Sequence, residues 1–146
     1  MERDDDMPGK ILIPINTEQS VDKLLNELKF LNPLLLNSHI TLLYVQTLVY
    51  NTAVGLDAVV VTPEVEPEGL RILERGRESL GKMKLCCQTA LKTGNPVQEI
   101  VQYAAKERID LIILCRREQG LLESLLFSNM SDELIEKAAT NILVVK

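Results

Sequence analysis

Short apolar segments alternate with longer amphipathic ones along this 146-residue chain. Apolar strands without polar alternation are typical of parallel sheets, in which both faces are covered. Regular alternation of such strands with helices also implies right-handed crossovers. The segments predicted as strands are Lys10–Ile15, Ile40–Val45, Leu85–Leu91, Leu111–Leu114 and Ile142–Val145.

The intervening segments have apolar residues at the three- and four-residue spacing of amphipathic helices. The first predicted helix runs from Ser20 towards Pro33, where the missing N–H limits it. Asn95 and Pro96 open another helix, as an N-cap followed by a proline in the first turn. Two more helices are predicted around Leu70–Met83 and Leu134–Ala138. The fold predicted is a single α/β domain, a five-stranded parallel sheet with helices on both faces.

One segment, from Gln46 to Gly69, interrupts the pattern. It contains Pro63, Pro67 and several acidic residues. An irregular connection is one interpretation. The alternative is an extra strand at Val59–Val61, and the sequence leaves both open.

Composition and charge limit the domain organisation and the partners. A chain of 146 residues, 46% hydrophobic, has room for one domain with a sizeable core, here residues 10–146, after an acidic and flexible tail over 1–9. The net charge of −5 and the lack of a basic cluster with aromatic neighbours argue against nucleic acid. No apolar run approaches the roughly 20 residues needed to cross a membrane, so a cytoplasmic protein is expected.

Three cysteines and one histidine give little basis for a metal site, a disulfide framework or a catalytic triad. Cys86 and Cys87 are predicted to lie on opposite faces of a strand as core residues, and His39 is predicted to be structural. Cys115 ends a strand beside a helix N-terminus and two arginines, conditions that lower the thiol pKa if the residue is exposed, and a redox role is a hypothesis. No general base or nucleophile pairs with a second group, so the chain is not predicted to be an enzyme.

Several segments together resemble the universal stress protein family, whose fold is Rossmann-like and related to the adenine nucleotide α-hydrolases. The resemblance covers nearly the whole chain. It is carried by KILIPIN at the start, LLYV on the second strand, GNPVQEIVQYAAKERIDLIIL in the last third, and NMSDELIEKAATNILVVK at the end.

The resemblance implies an adenine and ribose site at Pro14, Ile15, Asn16 and Val45. Nucleotide-binding members have an aspartate after the first strand, where this chain has Asn16. An amide still forms hydrogen bonds, but it lacks the charge-assisted contact that a carboxylate makes with ribose hydroxyls.

The resemblance also implies a phosphate loop, and here the chain departs from the family pattern. The loop runs glycine, two residues, glycine, nine residues, glycine, then serine or threonine. Cys115, Glu118, Ser128 and Asn129 occupy those four positions. Glycine lets backbone N–H groups approach phosphates closely, and Glu118 adds a negative charge where phosphate charge would lie.

Arg116 and Met130 complete the candidate site. Arg116 and its neighbour Arg117 either reach an anion or form a solvated loop surface. Asn129 is a good N-cap residue; the helix that it caps either directs its positive end at a bound anion or has no ligand there.

These observations predict a non-catalytic stress-response or regulatory module with lost or weakened ATP binding. No cofactor is expected. The alternative is a nucleotide-responsive protein that holds ATP, AMP or a related ligand. As in resembling proteins, a homodimer through Ile142–Val145 is expected, because an apolar edge strand needs a cover. A protein partner contacting Gln46–Gly69 is a further hypothesis.

Overall fold

The computed structural model describes residues 9–47, 67–115 and 130–145 of the chain. These residues form a five-stranded parallel sheet in the order β3-β2-β1-β4-β5, with helices on both faces. The strands are β1 Lys10–Pro14, β2 His39–Gln46, β3 Cys87–Thr93, β4 Leu111–Cys115 and β5 Asn141–Val145. The helices are α1 Glu18–Leu28, α2 Asn32–Leu35, α3 Pro67–Lys82, α4 Pro96–Lys106 and α5, residues 130–137.

The central strand β1 divides the core into two layers. Ile11 and Ile13 pack on one face with α1, α2 and α3, whereas Leu12 packs on the other with α4 and Leu134 of α5. Side chains of a strand alternate between faces, so three consecutive apolar residues fill both layers. The predicted fold class is therefore confirmed, and the two layers explain why the strands lack polar alternation.

Local sequence fixes where the first helix begins. Thr17 is the N-cap of α1: its side chain accepts a hydrogen bond from the Ser20 N–H at 3.1 Å, and Ser20 Oγ accepts one from the Thr17 N–H at 3.2 Å. This reciprocal pair satisfies two N–H groups that a helix end leaves free. The helix begins at Glu18, two residues before the predicted start at Ser20, because the capping pair lies further upstream.

Two predicted strand limits were wrong by more than one residue. The strand predicted at Leu85–Leu91 is β3, Cys87–Thr93, because α3 is followed by a turn in which Lys84 has φ +59°. Leu85 is buried, but it packs in the core before the strand begins. Pro67–Gly69 belongs to α3 and Gln46 to β2, so the ends of the segment predicted as irregular are regular structure. The proposed strand at Val59–Val61 lies outside the described residues.

The last strand, β5, lies at one edge of the sheet and pairs only with β4 within the part of the chain that is described. Its apolar residues Ile142–Val145 are all half-buried. The predicted edge position is confirmed. Among the described helices, none is long and apolar enough to span a membrane.

Candidate functional site

A cavity of about 650 Å³ opens where β1, β2 and β4 end. The carboxyl ends of parallel strands meet at one edge of the sheet. The connection after β1 runs to β2 on one side, whereas the connection after β3 crosses back to β4 on the other side of β1. Such a switch point leaves a crevice between the diverging connections, and ligands of open α/β sheets bind there. The volume lies within the range of about 300–1,000 Å³ that is usual for small-molecule sites.

The end of β1 forms one wall. Pro14, Ile15 and Asn16 line the cavity. The Ile15 N–H donates to the Leu43 carbonyl at 2.9 Å, and the Ile15 side chain is buried, so the backbone that leads to Asn16 is held against β2.

The carboxamide of Asn16 is available to a ligand. Ser20 Oγ lies 3.5 Å from Asn16 Oδ1, but it donates its only proton to the Thr17 carbonyl at 2.7 Å. The longer contact is therefore too weak to fix the amide orientation. Asn16 can turn either its oxygen or its nitrogen towards the cavity, a choice that aspartate lacks.

The second wall joins the end of β2 to the start of α4. Val45 of β2 and Thr47, the residue that follows this strand, line it on one side, and Asn95 lines it from the N-cap of α4. The two segments are tied together because the Gly94 N–H donates to the Gln46 carbonyl at 2.9 Å. Asn95 Oδ1 accepts the Gln98 N–H at 3.1 Å, so this oxygen is already used by the helix cap.

The third wall consists of Cys115 and the first turn of α5, where Met130, Ser131 and Glu133 line the cavity. Glu133 is exposed and lies 3.8 Å from Lys137 Nζ, a pair too solvated to neutralise the carboxylate. Within the described lining, Glu133 is the only charged carboxylate, and no Lys, Arg or His lines the cavity.

The condition for a lowered pKa at Cys115, an exposed thiol, is not met. Its thiol is half-buried, and this burial raises the thiol pKa; Lys23 lowers it and Glu27 raises it by smaller amounts. Desolvation disfavours the thiolate, the form that reacts with oxidants. The structure therefore removes the basis of the redox hypothesis at Cys115.

Six of the ten residues predicted for the site line one cavity: Pro14, Ile15, Asn16, Val45, Cys115 and Met130. The other four, Arg116, Glu118, Ser128 and Asn129, lie outside the described residues. Sequence reasoning missed Thr47 and Asn95. The signal for Asn95 was its position as an N-cap directly after a strand, which places the start of α4 at the edge where ligands bind.

Metal chemistry has no visible basis in the described part of the chain, which contains no group of three His, Cys, Asp or Glu side chains placed to hold an ion. The arrangement of a parallel sheet, two helical layers and a switch-point cavity instead defines a Rossmann-like α/β protein with a nucleotide-binding fold. Residues 7–146 match the sequence profile of the universal stress protein family, and the chain belongs to that family.

Comparison with curated proteins gives relatives of the same family. The chain is 26% identical to the universal stress protein YxiE of Bacillus subtilis over 83 residues, which cover 57% of this chain and 56% of that protein. It is 32% identical to the universal stress protein MJ0531 of Methanocaldococcus jannaschii over 80 residues, which cover 50% and 47%. The matches thus span about half the length of these relatives.

Solved structures share the fold. A universal stress protein in complex with cAMP matches with a TM-score of 0.64 and 13% identity, over 94% of this chain and 96% of that one. A family protein from Arabidopsis thaliana with AMP bound matches with a TM-score of 0.61 and 18% identity, over 95% and 92%. At these identities, the comparison supports the architecture.

Proposed function

We propose that the protein is a non-catalytic stress-response module that binds ATP weakly or not at all. The observation that carries this proposal is the charge of the cavity. The described lining presents the Glu133 carboxylate and no cation, and Cys115 stands where the family loop has its first glycine. A triphosphate carries several negative charges, so this wall repels the part of ATP that such loops normally hold.

The repulsion is large enough to matter. An exposed carboxylate about 6 Å from a phosphate charge costs roughly 0.7 kcal/mol for each such charge, at the near-water dielectric that also weakens its pair with Lys137. Each 1.4 kcal/mol corresponds to about a tenfold loss of affinity. In the loop outside the described residues, Glu118 adds a second negative charge in sequence, next to the positive charges of Arg116 and Arg117.

Calorimetric titration with ATP tests this proposal. We expect no saturable heat at micromolar protein concentration. A Glu118→Gly variant should bind ATP more tightly than the native protein, because it removes one charge and restores one loop glycine. Low-micromolar ATP binding by the native protein would contradict the proposal.

A second candidate function is binding of an adenosine monophosphate, cyclic or linear. The cavity volume favours it, since about 650 Å³ accommodates a nucleoside, and Asn16 and Thr47 supply polar groups beside apolar walls. The two fold relatives that contain cAMP and AMP support the same ligand class. If this candidate is correct, AMP and cAMP raise the melting temperature at concentrations where ATP does not; equal shifts with ATP would reject it.

We also propose a homodimer through β5. The strand is an edge strand, its apolar residues Ile142–Val145 are half-buried, and Ile135 of the adjoining α5 is 56% exposed. An uncovered apolar edge favours pairing with another strand.

The dimer proposal predicts twice the monomer mass by light scattering at micromolar concentration. Val144→Lys, which places a charge on the edge, should shift the protein to a monomer with unchanged circular dichroism. Gln98→Lys, at an exposed position of α4, changes the charge equally and should leave the dimer intact. A monomeric native protein would refute the proposal.

A further inference from the structure

The start of β2 and the residue before β3 bring a thiol and an imidazole together, at the end of the sheet opposite to the cavity. Cys86 Sγ lies 3.9 Å from His39 Nδ1, and both residues are exposed. The strand register explains the contact: Ile40 pairs with Cys87, so the residues just before them lie side by side. With the imidazole proton on Nε2, Nδ1 accepts a hydrogen bond from the thiol.

The backbone on both sides of this pair is held in place. The His39 N–H donates to the Gly9 carbonyl at 2.8 Å, and the Cys86 carbonyl accepts the Ile40 N–H at 3.2 Å. The sheet therefore holds the two backbone positions side by side, and only the two exposed side chains have to turn for the contact to form.

The other two thiols of the chain are in different surroundings. Cys87 is half-buried, and burial raises its thiol pKa to about 11. Cys115 is also half-buried and has a raised pKa. Cys86 is the exposed cysteine of the three and the one with an imidazole beside its sulfur.

Space for water adjoins the imidazole. A polar cavity of about 30 Å³ is lined by His39 together with Lys10, Thr41, Gln88 and Glu107. This is the volume of about one water molecule. Because His39 is itself exposed, a proton on its imidazole can pass to solvent directly or through this space.

We propose that Cys86 is a thiol-modification site that exchanges with low-molecular-weight disulfides, with His39 as the proton acceptor. The Cys86 sulfur attacks one sulfur of the disulfide as its proton passes to His39 Nδ1. A new S–S bond forms, the old S–S bond breaks, and the departing thiolate takes a proton. Cys86 is oxidised to a mixed disulfide, and half of the disulfide is reduced to a free thiol.

The test uses the full-length protein and 2-hydroxyethyl disulfide, a small uncharged probe. Intact mass should show one fast addition, and peptide mapping should place it on Cys86. Cys86→Ser should abolish the fast addition. His39→Phe should slow the addition to Cys86 about tenfold. The effect is smaller than that of a buried catalytic base, because an exposed thiol can also lose its proton to water.

A matched control distinguishes the effect of the imidazole on the reaction rate from the effect of positive charge in the neighbourhood. Lys84→Asn removes a nearby cation, and asparagine tolerates the positive φ of that position. Its rate should stay close to native. Four outcomes overturn the proposal: a native rate in His39→Phe, equal slowing in Lys84→Asn, fast addition at Cys87 or Cys115, or disulfide-linked protein dimers in place of the mixed disulfide.

Discussion

Replacing Gly69 by alanine is expected to lower the free energy of unfolding by about 1–3 kcal/mol, the usual cost of overpacking a core. Gly69 is buried near the start of α3, and a Cβ built there lies 2.7 Å from Cε1 and 2.8 Å from Cδ1 of Tyr44. Tyr44 is 8% exposed and belongs to the core, so its ring cannot move aside without disturbing that packing. Chemical denaturation measures the decrease in the free energy of unfolding. Ligand binding should also weaken in Gly69→Ala, because Tyr44 lines the cavity and a displaced ring would take up ligand space.

Gly81 in the same helix provides the matched control. A Cβ there meets no atom within 4 Å, and the residue is exposed. Gly81→Ala should raise the free energy of unfolding by about 0.5–1 kcal/mol, because alanine restricts the unfolded chain and is the better helix former. The same substitution is thus expected to have opposite signs at two positions of α3. A stabilising Gly69→Ala would show that Tyr44 is not packed as described.

Reversing the charge of Glu133 is expected to strengthen ATP binding about tenfold. Glu133→Lys removes a repulsion and adds an attraction; at about 6 Å and the near-water dielectric of an exposed site, the two changes together are worth roughly 1.4 kcal/mol. The new lysine faces Lys137 one turn later, which costs the helix only about 0.2–0.5 kcal/mol. Calorimetry with ATP at low ionic strength gives the affinity, and added salt should reduce the gain.

Glu136→Lys is the control for net charge. Glu136 is exposed on the same helix but does not line the cavity. The two variants have the same net charge, so a difference between them reports proximity to the ligand. Equal gains would mean that ATP feels only the overall charge of the protein and that the cavity does not hold its phosphates.

The fold was predicted well by patterns that involve residues close together in the sequence, such as apolar strand segments and helix caps. Leu12 and Ile13 are apolar in sequence because β1 has a core layer on each face, and this double burial is what identifies a parallel strand. Asn95 identifies the start of α4 because its side chain caps the helix locally. The β3 boundary was less predictable, since a buried residue before a strand, Leu85, resembles a strand residue in sequence.

The candidate site was predicted only in part, because it depends on residues far apart along the chain. Resemblance supplied Asn16 and Val45, but the contribution of Thr47 depends on how the end of β2 meets α4. Cys86 was predicted as a core residue and is in fact exposed. Its contact with His39, 47 positions earlier, follows from the β2–β3 register, which sequence alone does not specify.

The central claim is that the cavity does not hold a triphosphate. A crystal structure of the native protein grown with millimolar ATP tests this most directly. We predict either an empty cavity or an adenosine group without ordered β- and γ-phosphates. Density for a complete triphosphate, with its oxygens bound by main-chain N–H groups at Cys115 and Ser128, would contradict the claim.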